Sequence, residues 1–200
     1  MNQEIKERAQ KIKAVLTDID GIWTDGKINF FVRDDGKVDE FKCFNALDGI
    51  AGMLGYSCGL TLGIITGRRH EVTVHRAKTL GVKYMYQGFL SKLGPLDDIL
   101  QKEGLKPEEV AYIGDDLTDI PLLEKVGLAV TVPNAVDAVK KAAHLVTSRK
   151  GGEGAFRELI DTVLEAQGKL EPVLHQIRQE KWERSGKPQL QVVTSQEGIS

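Results

Sequence analysis

"KAVLTDIDGIWTDG", residues 13–26, is an apolar run that stops in two aspartates one residue apart, Asp18 and Asp20. "KAVLTDI" reads as a strand, and a strand buried on both flanks does not ordinarily finish in paired acids. Working outward, short apolar runs alternate with helical patterns. "LTLGIITG" (60–67), "VKYMYQG" (82–88), "PEEVAYIGDD" (107–116), "LAVTVPNA" (128–135) and "HLVTS" (144–148) read as strands, the last of these closing the sheet. Between them "DGIAGMLGYSCG", "RRHEVTVHRAKTLG", "KLGPLDDILQKEG", "TDIPLLEKVG" and "AVDAVKKAA" read as helices, and "GAFRELIDTVLEAQGKL" as a closing helix. That alternation predicts an α/β fold, a Rossmann-like, mostly parallel sheet flanked by helices. "GKINFFVRDDGKVDEFKCF" interrupts it with two extended runs around a turn at Asp34–Gly36, a β-hairpin insert over about 26–43. The expected domain runs from 8 to 170. Residues 171–200 turn polar and are expected to form a partly mobile tail, mobile over about the last fifteen residues.

The composition is 41% hydrophobic and 28% charged, with mean hydropathy −0.23, as in globular domains. A net charge of −2 gives no field toward nucleic acid or anionic lipid, so an anionic ligand must be held by local groups. No stretch approaches the apolar length of a membrane span. The charged start "MNQEIKERAQKIK" lacks the apolar core of a signal peptide. Two cysteines, Cys43 and Cys58, without metal-ligand spacing, suggest small core residues and a reducing, cytoplasmic setting.

In open α/β sheets, ligands bind beyond the carboxyl ends of the strands. Four strands here stop in reactive groups: Asp18 and Asp20; Thr66 in "IITGR"; Lys92 after "YQGFLS"; and Asp115 and Asp116 in "YIGDD", with Asp119 a turn later. Singly, each has a plain structural reading. The acids can cap helices, Thr66–Gly67 can be a simple turn, and Lys92 can be a solvated surface residue. Together, carboxylates, a hydroxyl and an ammonium on one edge suit attack on a phosphate. Magnesium (Mg2+) prefers oxygen ligands and commonly takes one or two carboxylates with a phosphate oxygen. Asp18 and Asp115 fit that task, with Asp18 also placed to attack phosphorus. Asp20 suits proton transfer to the leaving alkoxide, Thr66 a phosphate contact, and Lys92 the neutralisation of developing charge.

"DIDGIWTDG", "IITGR", the lysine of "LSKLG" and "GDDLTD" resemble, in order and spacing, the signature motifs of the haloacid dehalogenase superfamily of phosphatases, from about Ala14 to Asp119. Similarity runs on to about Leu170. Within the superfamily the chain resembles the 3-deoxy-D-manno-octulosonate 8-phosphate (KDO 8-phosphate) phosphatases. The features that carry this are the hairpin in place of a cap domain, "FNALDG", "TGRRHEVTVHRAKTLG", "YQG", "VAYIGDDLTDIPLLEKVGLAV" and "KGGEGAFRELIDTVLEAQGKL".

The resemblance implies Mg2+-dependent hydrolysis of KDO 8-phosphate through an aspartyl-phosphate, in lipopolysaccharide precursor synthesis. It implies Asp18 as nucleophile and metal ligand, Asp20 as acid/base with its backbone carbonyl on the metal, and Asp115 as third ligand. Thr66 and Lys92 would bind phosphate, while Asn45, Asp48, Gly49, Arg68 and Arg76 would face the sugar acid. Asp119 would anchor Lys92 or a metal-bound water. The family resemblance also implies a homotetramer in which hairpins pack together and "GGEGAFR" reaches a neighbour's site, with Arg157 near the substrate. The alternatives are a hairpin folded onto its own sheet and a solvated Arg157. One departure stands out: Leu47 occupies a position where such phosphatases usually carry a basic residue. A phosphatase of nine-carbon ulosonate 9-phosphates is therefore a second reading. A signalling receiver domain would end a later strand in the phosphorylated aspartate, where this chain has Thr66. A non-catalytic scaffold would show a broken position among Asp18, Asp20, Thr66, Lys92 and Asp115, and none is broken. Asp116 reads as a helix cap, the histidines as packing or surface residues, and Trp23 as either site wall or core.

Overall fold

The computed structural model describes residues 1–183 and 186–195. Its strands are β1 (Ala14–Thr17), the hairpin pair β2 (Asn29–Val32) and β3 (Val38–Phe41), β4 (Thr61–Thr66), β5 (Tyr84–Gln87), β6 (Val110–Ile113), β7 (Leu128–Thr131), β8 (Leu145–Val146) and β9 (Gln191–Thr194). Seven of them form one sheet in the order β8-β7-β6-β1-β4-β5-β9, with every neighbouring pair parallel. Every residue of β1, β5, β6 and β7 is buried, which is why these segments read as continuous apolar runs rather than alternating ones. From β1 the chain builds outward through β4 and β5, then crosses back to lay β6, β7 and β8 on the other side. That reversal opens a crevice over the carboxyl end of β1.

The helices are α1 (Gln3–Ala9), α2 (Ala46–Ser57), α3 (Glu71–Thr79), α4 (Leu93–Glu103), α5 (Ile120–Leu123), α6 (Asp137–Ala142), α7 (Ala155–Ala166) and α8 (Leu170–Arg178). α7 buries Phe156, Leu159, Ile160, Val163 and Leu164, a stripe at helical spacing, and packs against α1, α2 and α8. Asn45 and His70 cap α2 and α3 by accepting from the amides of Leu47 and Val72. No helix among the described residues is long and apolar enough to cross a membrane.

Three expectations need correction. "TDIPLLEKVG" forms a 3-10 turn, Leu117–Asp119, and the four-residue α5, not one longer helix. Its first turn is bent by Asp116 and Asp119, whose carboxylates bond backbone amides at the turn's start. The expected domain start at residue 8 falls inside α1, which begins at Gln3 and buries Ile5 and Ala9 against the body. The described part of the polar tail forms α8 and β9, so "HLVTS" (β8) is not the last strand. β9 pairs with β5 from Tyr84↔Gln191 to Gln87↔Thr194, and Gln87 Nε2 donates to Thr194 Oγ1 at 2.9 Å. Residues 184, 185 and 196–200, part of the stretch expected to be mobile, lie outside the described residues. The hairpin is a separate two-stranded antiparallel sheet that leaves Phe30, Phe31, Val32, Val38 and Phe41 exposed.

Candidate active site

Asp18 leaves β1 beside β6, its amide donating to Ile113 O at 3.0 Å. The carboxylate is buried, accepting from Ile19 N at 2.7 Å on Oδ1 and pairing with Lys92 Nζ at 2.9 Å on Oδ2. Lys92, just before α4, is buried too, and all its donors are used: Asp18, Asp119 Oδ1 at 2.5 Å and Tyr112 Oη at 3.1 Å. Asp119 is fully enclosed, and its Oδ2 accepts from the amides of Asp115 and Asp116 at 2.9 and 3.0 Å. Asp119 therefore anchors Lys92, as expected, and also shapes the loop that carries Asp115. Asp116 caps the turn that follows, accepting from Leu117 N at 2.7 Å.

Carboxylate oxygens of Asp18, Asp115 and Asp119 lie within 4.8 Å of one another. Two buried acids, Asp18 and Asp119, and the half-buried Asp115 face one lysine, and the imbalance appears in their protonation. Burial, reinforced by Asp18 and Asp119, pushes the Asp115 pKa up to about 8. Burial lifts Asp18 to about 6, with Lys92 opposing and Asp119 adding to the rise. Burial works against the Lys92 ammonium, but Asp18 and Asp119 overcome it and raise its pKa to about 12. Asp115 Oδ1 is buried without a partner. An orphaned carboxylate oxygen in an electronegative pocket of hard oxygen donors fits a divalent cation such as Mg2+. Each Asp119 oxygen already has two partners, whereas each Asp18 oxygen has one and Asp115 Oδ1 none, so Asp18 and Asp115 are the pair with lone pairs to give. Gly21 makes the approach possible: its φ is +87°, and a Cβ there would overlap the Asp115 carboxylate.

Thr66 ends β4 next to β1, buried, with its hydroxyl oxygen accepting from Arg68 N at 3.3 Å. Asp20 does not share the Lys92 ammonium. Its Oδ1 is ion-paired with Lys42, which follows β3 at the foot of the hairpin, and Oδ2 is buried and unpartnered. Arg68 is ion-paired with Glu40 of β3. Sequence reasoning did not single out Lys42 or Glu40. Alternating charge along "DEFK" was the one visible signal, and it reads equally well as a solvated strand.

The segment expected to face the sugar is tied to its own chain. Asn45 donates through Nδ2 to Gly152 O at 3.1 Å, and Arg76 Nη2 donates to Asn45 O at 3.1 Å while lying over the Phe44 ring. A Cβ on Gly49 would crowd Arg76. Asp48 is held from within as well. It is 2% exposed and accepts from Arg157 N at 3.0 Å, fixing the start of α7. Burial raises its pKa to about 6 against the pull of Arg157, Arg76 and Arg149. Within the chain, "GGEGAFR" is held by Gly152 N donating to Ile22 O at 2.9 Å, and Arg157 pairs with Asp161. Trp23 is core, packed on Phe156, whereas Cys43 is exposed rather than buried. A groove of about 740 Å³, lined by Lys13, Lys106 and Lys169 among others, lies at the opposite, amino edge of the sheet. Size therefore does not locate the site.

A model of haloacid dehalogenase-like hydrolases matches residues 85–159. Over 171 residues, 86% of this chain and 89% of the relative, the sequence is 39% identical to the 3-deoxy-D-manno-octulosonate 8-phosphate phosphatase KdsC of Escherichia coli (strain K12). The chain belongs to the KDO 8-phosphate phosphatase family. It is thereby a phosphoric monoester hydrolase of the haloacid dehalogenase superfamily. Among solved structures, a probable YrbI-family phosphatase from Pseudomonas syringae pv. phaseolica superposes with a TM-score of 0.83 at 40% identity, covering 89% of this chain and 98% of that one. The Moraxella catarrhalis KDO 8-phosphate phosphatase, solved with a magnesium ion, a phosphate ion and a KDO molecule, gives 0.83 at 33% identity, covering 88% and 99%.

Proposed function

We propose that this enzyme hydrolyses KDO 8-phosphate to KDO and inorganic phosphate through a phosphoaspartate on Asp18. The observation that carries the reading is the unbalanced set at the end of β1: Asp18 held by Lys92, with an unpartnered Asp115 oxygen beside it. Mg2+ held by Asp18 and Asp115, with the Asp20 backbone carbonyl as a third ligand, supplies the positive charge that lets a phosphate approach these acids.

An Asp18 oxygen forms a bond to phosphorus as the bond to the sugar oxygen breaks, and Asp20 in its acid form gives the leaving alkoxide a proton. Asp20 then takes a proton from the water that attacks phosphorus. Phosphate leaves, and both carboxyl groups return to their starting states. Lys92 stays on Asp18 throughout, offsetting charge as the phosphoryl group transfers, and Thr66 receives a phosphate oxygen. Arg68 takes the sugar carboxylate, for which a guanidinium is the natural fork. Asn45, Asp48, Gly49 and Arg76 build the wall behind it.

The names of the relatives support the eight-carbon acid, and a cytoplasmic enzyme in lipopolysaccharide precursor synthesis is part of the same proposal. Leu47, 41% exposed at the start of α2, favours the nine-carbon ulosonate 9-phosphate as a second reading. Exposed Phe30, Phe31, Val32, Val38 and Phe41 support a homotetramer built through the hairpins, to be read by light scattering. The deciding assay is phosphate release with Mg2+, and with chelator in its place, from KDO 8-phosphate, a nine-carbon ulosonate 9-phosphate and a hexose 6-phosphate. A preference for the hexose phosphate overturns both ulosonate readings.

A further inference from the structure

Four charged side chains from three separate segments run in a line at the foot of the hairpin. Arg68 pairs with Glu40 Oε2, Glu40 Oε1 lies 3.6 Å from Lys42 Nζ, and Lys42 pairs with Asp20 Oδ1. The two inner members are the shielded ones: the Lys42 side chain is 2% exposed and that of Glu40 12%. Each inner member is shared. Lys42 sits hard against Asp20 with Glu40 as its second carboxylate, and Glu40 sits hard against Arg68 with Lys42 as its second cation. Shielded ion pairs of this kind have discrete alternative pairings rather than a continuum, because a buried charge left without a partner is costly.

We propose that Glu40 and Lys42 form a relay that frees Asp20 only when Arg68 receives a substrate carboxylate. Glu40 occupies the place on Arg68 that the sugar carboxylate takes in the reading above, on which this inference rests. When that carboxylate arrives, Glu40 is displaced and its nearest cation is Lys42. Lys42 shifts from Asp20 to Glu40, and Asp20 is released to face the leaving oxygen. No covalent bond is made or broken in the exchange: four charges change partners, the incoming carboxylate supplies the extra negative charge, and the freed Asp20 takes from solvent the proton that it then gives to the leaving oxygen. A sugar phosphate without a carboxylate leaves Glu40 on Arg68 and Lys42 on Asp20, so its alkoxide departs without help. The hairpin thus selects for acidic sugars through the turnover step as well as through binding.

The test is steady-state kinetics on KDO 8-phosphate and a hexose 6-phosphate with Mg2+. Glu40→Gln frees Arg68 from its competitor but removes the charge that draws Lys42 away. KM for the ulosonate phosphate is expected to fall several-fold while its kcat falls about tenfold, a split in opposite directions that general loosening of the site does not produce. Lys42→Met removes the lock, and the kcat ratio between the two substrates is expected to shrink by about tenfold. Circular dichroism and thermal melting establish that both variants are folded. Glu40→Gln raising KM for the ulosonate phosphate, or Lys42→Met keeping the parent's kcat ratio, overturns the relay alone. A parent enzyme with no preference for the ulosonate phosphate overturns the relay together with the substrate reading.

Discussion

Two charged clusters flank the end of β1, and they differ in balance. Asp18, Asp115 and Asp119 face only Lys92, and an Asp115 oxygen is left over. Asp20 and Glu40 face Lys42 and Arg68, two acids against two bases. A cluster balanced in charge needs no added cation, even with Asp20 Oδ2 left over, and can serve as a latch. An unbalanced one stays costly until something positive enters it. The comparison separates the place where chemistry happens from the device beside it.

The largest effect is expected from the unbalanced side. Asp18→Asn removes the attacking oxygen and should lower phosphate release by roughly a thousandfold or more, with circular dichroism unchanged. Activity near that of the parent would remove Asp18 from the mechanism.

Next comes Gly21→Ala. The added methyl would overlap Asp115 at a φ of +87°, with an expected loss of about 1–3 kcal/mol of stability and weaker Mg2+ binding by calorimetry. Unaltered Mg2+ affinity would show that the 18–21 turn does not set the metal site.

The third test sharpens the contrast through pH. Asp18 and Asp115 have folded-state pKa values of about 6 and about 8, both above the ordinary 3.8. The folded, metal-free chain therefore binds more protons than the unfolded chain between those limits. Its stability should fall as pH rises from about 4 to about 8, the direction set by two acids held above their usual range. Metal binding needs both carboxylates ionised, so the rise in melting temperature produced by Mg2+ should be larger at pH 8 than at pH 6. Equal rises at the two values would place the cation elsewhere.

The smallest effect lies far from either cluster. Ending the chain at Lys187 removes β9, and a loss of about 1 kcal/mol in chemical denaturation is expected, with phosphate release retained.

The sequence declares the unbalanced cluster because each member sits where a strand stops. Asp18, Thr66, Lys92 and Asp115 all follow short apolar runs, and a parallel sheet gathers such ends onto one edge. The parallel sheet, the hairpin and most helices are legible for the same local reason, their period. The latch is not legible, since Asp20 meets Lys42 only when the hairpin closes across twenty-two residues. β9 is hidden because "QVVT" is short, follows Pro188 and lies at an edge where its residues stay exposed. The anchoring of Asp48 is hidden for a different reason. The resemblance alone points it at the sugar, and the amide from which it accepts, that of Arg157, lies 109 residues on.

Gly151 lies against Gly21 so closely that a side chain on it would run into the Gly21 carbonyl, and Gly152 is bonded to Ile22. Two backbones in direct contact leave no room for variation on either. Anyone reshaping this enzyme for bulkier sugars should hold both glycine stretches fixed. Diversity belongs at Leu47, which is 41% exposed and where one change need not be matched by another across the cleft.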